Sequence, residues 1–95
     1  MYGTVMVGRL AVPFAEVDAV VRAWEDERGS RLAGYLGQSV LLSADGTTVV
    51  AAIRFSDKAS YEALGDDPAQ DTWWTEQMAP CFDGEVRWTD GQWMR

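Results

Sequence analysis

Arg54 is the cation of this sequence best placed to do chemistry, because it ends a strand-like run of apolar residues. In TTVVAAIRF the guanidinium is in phase with Val50 and Ala52, so it projects from an otherwise apolar strand face. Two interpretations are open. In a pocket, Arg54 would bind a substrate carboxylate, a phenolate or a superoxide-like species. At a strand end, it would reach solvent or pair with a carboxylate.

Two tyrosines could supply a hydroxyl to the same pocket. Tyr61 falls on the helix face that should point toward it, where the hydroxyl would donate a hydrogen bond to a bound oxygen. The alternative is a core aromatic whose hydroxyl reaches the rim. Tyr35 and Gln38 are on opposite alternations of a predicted strand, so at most one of them is expected to line a given cavity.

The neighbouring Trp73 and Trp74 lie on a predicted helix and are expected to cover two different surfaces. Adjacent helix positions point about 100° apart, so the two indoles should not fill one cavity. Trp74 shares an apolar stripe with Met78 and Phe82, which predicts that it faces the sheet as core or pocket wall. Trp73 is then expected at the helix flank, against the first helix, the pocket mouth or another subunit.

Trp88 and Trp93 follow in the last part of the chain. Trp88 shares a predicted strand face with Val86, which suits a core or pocket wall, and Trp93 is expected at the domain edge or against another subunit. Aromatic residues make up 12% of the chain. Such abundance indicates either a pocket for an aromatic ligand or a small domain that builds its core and an interface from large side chains.

The absence of histidine excludes several kinds of catalytic and binding site. Ser-His-Asp and Cys-His nucleophile systems, His-ligated zinc and proximal-His haem all need that residue. The single Cys81 cannot build a zinc site or an internal disulfide, and we expect it to be a small buried hydrophobe. No glycine-rich phosphate loop is present. We therefore expect no metal site and no bound cofactor.

Charge and hydropathy restrict the partners and the compartment. Eight basic and fifteen acidic residues give a net charge of −7, which disfavours nucleic acid and anionic membrane surfaces. No stretch approaches the roughly 20 apolar residues that a membrane span needs. The N-terminus has the pattern of a strand and lacks the basic region of a signal peptide. With one cysteine, the expected location is the cytoplasm.

The hydrophobic periodicity predicts one α+β domain over residues 1–95. Period-2 runs predict strands, and apolar spacing of three and four residues predicts helices. Asp67 is the predicted N-cap of the second helix, with Pro68 in its first turn and Gln70 completing a capping box. The predicted elements are strands at 3–12, 33–43, 47–55 and 84–89, and helices from Phe14 to Gly29 and from Pro68 to about Ala79, with a weaker helical segment after Ser56.

The resulting order, β-α-β-β-α-β, is that of a ferredoxin-like fold, one four-stranded antiparallel sheet with its helices on one face. A sheet with one wet face should alternate apolar and polar residues. Here Val5 and Val7 oppose Met6 on the first strand, and Val49 opposes Val50 on the third, so both faces are apolar. Because the helices cover one face only, we expect a homodimer in which two sheets pack face to face.

The element order, the length and two segments resemble the antibiotic biosynthesis monooxygenase superfamily, a group of dimeric α+β barrels. The segments are VVAAIRFSDKASYEAL and DDPAQDTWWTEQMAPCFDGEVRWTDGQW, and the resemblance extends over essentially the whole chain. It is carried by pattern and by the strand-to-helix region around Phe55, Ser56 and Tyr61. It implies a pocket between the sheet and the helices.

The resemblance implies a cofactor-independent monooxygenase of a polycyclic phenol or quinol. In such enzymes the deprotonated substrate supplies the electrons to O₂, while the protein contributes a dry cavity, a proton acceptor and polar groups. The haem-degrading branch uses an Asn, a Trp and a His, and this chain has neither Asn nor His. The alternative is a non-catalytic dimer that binds a small aromatic ligand or has a structural role. The candidate pocket residues are Arg54, Tyr61, Trp74, Trp88, Tyr35 and Trp73.

Overall fold

The computed structural model describes all 95 residues, with four strands and three α-helices. No helix combines the length and the apolar character needed to cross a membrane. The elements are β1 (Tyr2–Arg9), α1 (Phe14–Glu27), β2 (Tyr35–Leu42), β3 (Thr48–Phe55), α2 (Lys58–Gly65), α3 (Pro68–Trp73) and β4 (Arg87–Gln92).

The strands form one antiparallel sheet in the order β2-β3-β1-β4, with β1 and β3 at its centre. The helical segments pack on one face of the sheet, where Val17 of α1 and Met78 meet Met6, Val49 and Ala51 of the central strands. The predicted ferredoxin-like α+β fold is confirmed. The alternating burial of β1 and β3 follows from this arrangement, because every second side chain points toward the helices.

The boundaries predicted for the last strand are wrong. β4 runs from Arg87 to Gln92, later than the predicted 84–89. Gly84, at φ +77°, supplies the turn before the strand, and the Asp90-Gly91 dipeptide pairs with β1 instead of turning the chain. Asp-Gly is a common turn signal, but the unpaired edge of the long central strand β1 overrides that local preference.

The helical segment that carries the paired tryptophans is less regular than predicted. α3 ends at Trp73, a π-helical turn follows at Trp74–Met78, and a 3₁₀ turn at Ala79–Cys81 completes the segment. Pro80 stands inside the last turn, where it cannot donate a backbone hydrogen bond and ends the helix. The wider π turn changes the direction of the side chains beyond Trp73 relative to a continuous α-helix.

The N-terminus of α3 has the predicted cap but not the predicted capping box. The Asp67 carboxylate accepts a hydrogen bond from the Ala69 amide at 2.9 Å, which satisfies one of the free N–H groups of the first turn. The Gln70 side chain does not return to the cap. Its Oε1 instead accepts a hydrogen bond from Trp24 Nε1 at 3.0 Å, because α1 lies close enough for Trp24 to reach Gln70.

The sheet face away from the helices is apolar and uncovered. Val7 of β1, Val50 of β3 and Leu41 of β2 are cross-strand neighbours on it. The Leu41 side chain is 62% exposed and Val7 is 37% exposed. The two-faced apolar pattern predicted from the sequence is therefore present in the fold, and a contiguous row of exposed apolar side chains is unusual on the surface of a monomer.

Candidate functional site

A cavity of about 480 Å³ lies between the sheet and the helices. Fifteen of its 21 lining residues are hydrophobic, so it favours an apolar occupant over water. Its floor is the helix-facing side of the sheet, including Met6, Ala51 and Ile53, and its walls come from α1, α2, α3 and the π turn. The volume is in the range of small-molecule sites in proteins.

Four tryptophans form much of the wall. The Trp74 ring contacts Trp88 of β4 with centroids 5.1 Å apart and stacks on Phe82 at an interplanar angle of 13°. The Trp73 ring lies 5.7 Å from Trp24 of α1. All four tryptophans line the cavity. A bound aromatic ring could therefore contact the indoles of Trp73, Trp74 and Trp88.

The expectation that neighbouring indoles cannot share one cavity is wrong. Trp73 and Trp74 do point in different directions, toward α1 and toward β4 respectively, but the cavity is wide enough for both directions to be walls of the same space. Trp73 packs against Trp24 of the first helix, which is one of the three alternatives given for it, and it also lines the cavity. Trp88 lines the cavity and contacts Trp74, but Val86, with which it was expected to share a strand face, precedes β4.

Tyr61 and Asp90 form a polar pair at the β4 side of the cavity. Both residues line it, and the Tyr61 hydroxyl donates a hydrogen bond to Asp90 Oδ1 at 2.8 Å. Burial, and then the bond to Asp90, raise the pKa of the Tyr61 hydroxyl to about 12. Tyr61 is therefore a neutral donor at physiological pH, and the exposed Asp90 carboxylate is an acceptor in reach of a ligand.

Sequence reasoning missed Asp90. The predicted strand stopped at residue 89 and placed Asp90 in a turn, so its alternation with Trp88 on the cavity face was not considered. The signal was present, because Trp88 and Asp90 are two residues apart on one strand. Thr4, buried on β1 directly opposite Asp90, was also missed, although it lies within the predicted first strand and alternates with Met6.

A second polar group lies on the β2 side. The Tyr35 hydroxyl donates to Glu25 Oε1 at 2.7 Å, and Gln38 Nε2 lies 3.2 Å from both that oxygen and the Tyr35 hydroxyl. Burial and the bond to Glu25 raise the pKa of Tyr35. Gln38 lines the cavity, whereas Tyr35 stands behind it among Trp24 and Phe55.

The expectation that Tyr35 and Gln38 occupy opposite alternations is wrong. A β-bulge between Tyr35 and Gly37 inserts one residue, so that Tyr35 pairs with Phe55 and Gln38 with Ile53, both on the helix-facing side. Gly37 adopts φ +112° in the bulge, a conformation that residues with a side chain rarely reach. Nothing in the apolar pattern around Leu36 and Gly37 distinguishes this bulge from a regular strand.

Arg54 is placed on the other side of the sheet and does not line the cavity. The alternation with Val50 and Ala52 was right, but that face of β3 is the one the helices leave uncovered. The guanidinium lies 4.9 Å from the centre of the Trp93 ring and donates to Ser39 Oγ at 3.3 Å. No arginine or lysine is among the residues that line the cavity, so the cation expected there is missing.

Cys81 has the buried position that its sequence context predicted. It belongs to the core cluster, its Sγ lies 3.6 Å from the Gln77 carbonyl, and burial raises the pKa of its thiol. A thiol of this kind is a poor nucleophile at neutral pH. No group of three or more Cys, Asp or Glu side chains is arranged to hold a metal ion.

Several solved structures share this fold over nearly the whole chain. A Nitrosomonas europaea protein, provisionally named an antibiotic biosynthesis monooxygenase, has a TM-score of 0.77 and 17% identity, with 98% of this chain and 89% of that chain covered. The ActVA-Orf6 monooxygenase of Streptomyces coelicolor, solved with the ligand nanaomycin D, has a TM-score of 0.73 and 20% identity, with 93% and 82% covered.

SnoaB of Streptomyces nogalater, a cofactor-independent oxygenase, has a TM-score of 0.69 and 16% identity, with 96% of this chain and 94% of that chain covered. A Jannaschia protein of unknown function, described as dimeric and ferredoxin-like, has a TM-score of 0.61 and 17% identity, with 95% and 99% covered. No family sequence model and no curated protein sequence matches the chain. At these identities the likeness establishes the fold.

Proposed function

We propose that this chain, which has the fold of proteins named as monooxygenases, is a cofactor-independent monooxygenase of a polycyclic phenol or quinol. The observation that carries the proposal is the aromatic cavity of about 480 Å³ with the Tyr61–Asp90 pair at one side. Flat indole walls favour a flat aromatic ligand. The carboxylate gives such a ligand's hydroxyl an acceptor, which an entirely apolar cavity would lack.

The chemistry that fits these groups begins with removal of a proton from the ligand. Asp90 accepts the phenolic proton, and the resulting phenolate, being electron-rich, transfers an electron to O₂. For a phenol with hydrogen at the position para to the phenolate oxygen, recombination with superoxide forms a C–O bond at that carbon. The hydroperoxide then loses the hydrogen of that carbon as a proton while its O–O bond breaks, so that a C=O group forms and water leaves. Overall, a phenol and O₂ give a quinone and water: one oxygen atom enters the ring, the other becomes water, and the ring loses the four electrons that O₂ gains.

Tyr61 has a defined part in this proposal. Its hydroxyl remains protonated, because its pKa is raised to about 12. When Asp90 takes up the ligand's proton, the Tyr61 hydroxyl can turn from the neutralised carboxyl to the phenolate oxygen and stabilise its charge. This is electrostatic stabilisation by a neutral donor in a cavity lined mostly by hydrophobic residues, and it takes the place of the cation that Arg54 does not supply.

The test is oxygen consumption with the wild-type protein and a panel of phenols and quinols, 1-naphthol, naphthalene-1,4-diol and anthrone among them. A ligand that binds by thermal shift should consume O₂ faster than its spontaneous oxidation. Asp90→Asn should lower that rate by about a hundredfold or more, the usual contribution of a general base. Asp26→Asn makes the same charge change on an exposed α1 residue and should leave the rate unchanged.

The alternative function, a non-catalytic protein that binds a small aromatic ligand, has one specific observation in its favour. No arginine or lysine lines the cavity, and the chain has no histidine, so the anion formed in the oxygenase reaction has only Tyr61 to stabilise it. This alternative is supported if a panel member binds and its oxidation rate stays at the uncatalysed value. Equal rates for wild type and Asp90→Asn would contradict the oxygenase proposal.

We also propose that the protein is a homodimer that joins two copies through the uncovered sheet faces. Leu41, Val7 and Val50 form the apolar row that a second sheet would cover. Trp93 lies on the same side of the sheet, where its ring packs against the Arg54 guanidinium at 4.9 Å.

A further inference from the structure

We infer that the occupant of the cavity carries a hydrogen-bonding group at each end of a flat apolar skeleton, and that Gln38 binds the end away from Asp90. The inference rests on the proposed function only in taking the cavity as the ligand site. It adds the class of substrate: an elongated fused aromatic with a hydroxyl at both ends. The argument comes from one cross-strand row and from a hydrogen-bond network that fixes an amide.

The row consists of Asp90, Thr4, Ile53 and Gln38, one residue from each strand. Asp90 is opposite Thr4, Thr4 is opposite Ile53, and Ile53 is opposite Gln38. All four line the cavity. The row therefore crosses the floor of the cavity from one sheet edge to the other. Its polar end residues, Asp90 and Gln38, lie on the two edge strands. Three strand spacings of about 4.8 Å place the Cα atoms of the end residues roughly 14 Å apart.

The Gln38 amide is held in one orientation by its partners behind the cavity. Its Nε2 is 3.2 Å from Glu25 Oε1 and 3.2 Å from the Tyr35 hydroxyl. The reverse orientation would set the amide oxygen against the Glu25 carboxylate, two acceptors facing each other. Glu25 Oε1 and the Tyr35 hydroxyl oxygen are only 2.7 Å apart, so they share one N–H group of Gln38, and Oε1 and the second N–H are left for a ligand. Glu25 and Tyr35 are positioning residues for this acceptor.

The two ends of the row present the same kind of group to a ligand. Asp90 offers a carboxylate oxygen and Gln38 an amide oxygen, and both accept hydrogen bonds. Between them stand the apolar Ile53 and the buried Thr4, whose hydroxyl is committed to the Thr89 carbonyl at 3.2 Å. A ligand with a single hydroxyl satisfies one end only. A ligand with hydroxyl donors at both ends of a bicyclic or tricyclic skeleton satisfies both.

The bulge in β2 is the structural cause of this arrangement. Without the extra residue between Tyr35 and Gly37, Gln38 would face the uncovered side of the sheet, and the β2 end of the floor would have no acceptor. The same insertion brings Tyr35 beside Gln38. One irregularity in the strand therefore supplies both the acceptor and a group that orients it.

The test is binding by the wild-type protein of two matched probes, 2-naphthol and naphthalene-2,6-diol, measured anaerobically by calorimetry. The diol should bind more tightly, by about three- to tenfold, the value of one added neutral hydrogen bond. Gln38→Leu should remove this difference and leave the affinity for 2-naphthol within about twofold of wild type. Gln38→Met, closer in shape to Gln, is the second variant, and the melting temperature of each verifies its folding.

Equal loss of affinity for both probes in Gln38→Met would assign the residue a structural role and overturn the inference. Equal affinity of the wild-type protein for 2-naphthol and the diol would overturn it as well. Because the measurement is of binding without oxygen, its outcome is separate from the oxygenase proposal. A preference for the diol without oxygen consumption would retain the two-ended site and reject the reaction.

Discussion

At the scale of single residues, the informative side chains are those whose partners restrict what they can do. Tyr61 and Tyr35 each donate a hydrogen bond to a carboxylate, Asp90 and Glu25 respectively. These bonds and the partial burial of the rings favour the protonated phenol. Arg54 shows the converse. Arginine is suited to catalysis, but this side chain contacts the Trp93 ring and Ser39, outside the cavity.

The raised tyrosine pKa values make the fold sensitive to alkaline pH. The pKa of Tyr61 is raised from 10.0 to about 12, so between these values the unfolded chain releases a proton that the folded chain retains. Stability is therefore complete below pH 10 and is lost as the pH rises toward 12. We expect the urea-unfolding free energy of the wild type to fall through this window and that of Tyr61→Phe to fall less steeply.

The double variant Tyr35→Phe/Tyr61→Phe should show a smaller slope still, because the pKa of Tyr35 is raised as well. Near neutral pH each single variant should lose about 1 kcal/mol, the value of a typical hydrogen bond. Identical slopes for Tyr61→Phe and wild type would show that the pKa of Tyr61 is not raised by its burial and its bond to Asp90.

At the scale of elements, the helical segment from α3 onward depends on its start. The Asp67 carboxylate caps α3 through the Ala69 amide and also accepts a hydrogen bond from Arg28 Nη2, at 3.0 Å, at the end of α1. One side chain thus joins the end of the first helix to the beginning of the third. This position matters for the cavity, because α3 and the π turn carry two of its tryptophan walls.

We expect Asp67→Ala to destabilise the protein by about 1–2 kcal/mol through loss of the cap. Asp67→Asn keeps a capping oxygen and removes the charge, so it should cost less than about 1 kcal/mol, as for a partly exposed ion pair. Thermal unfolding compares the two. If both variants lose the same stability, the ion pair with Arg28 and not the cap is the principal contribution.

The elements also show how far the sequence was sufficient. The regular parts, β1, α1, β3 and the Asp67-Pro68 helix start, follow from periodicity and capping, which are local. The bulge at Gly37, the π turn at Trp74 and the register of β4 depend on pairing with distant segments, and a single sequence does not display those contacts. The aromatic walls could thus be predicted from composition and spacing, whereas the Gln38 acceptor could not. The alternation of Asp90 with Trp88 is in the sequence, but it becomes informative only once the extent of β4 is known.

At the scale of the whole molecule, the two faces of the sheet differ. One face, covered by helices, contains the cavity, and the other presents the row of Leu41, Val50 and Val7. A chain with a net charge of −7 gains little from electrostatics when two copies meet. In the proposed dimer, burial of apolar area would therefore supply most of the association free energy.

We expect sedimentation at micromolar concentration to show a species of twice the 10.5 kDa chain mass. Leu41→Glu places a like charge in the apolar row of both copies and should convert the dimer to monomers. Ala63→Glu, a matched change at an exposed position of α2, should leave the dimer intact. A monomeric wild type would contradict the proposed association.

The placement of the tryptophans gives the protein an optical property of its own. Trp74 and Trp88 have ring centres 5.1 Å apart, and Trp24 and Trp73 are 5.7 Å apart, close enough for their excited states to couple. Coupled indoles produce a paired band of opposite signs in circular dichroism, whose shape depends on their mutual angle. Trp93, on the far side of the sheet, stands apart from both pairs. Binding of a ligand in the cavity should therefore change the circular dichroism of the tryptophans, so that binding can be followed without an attached label.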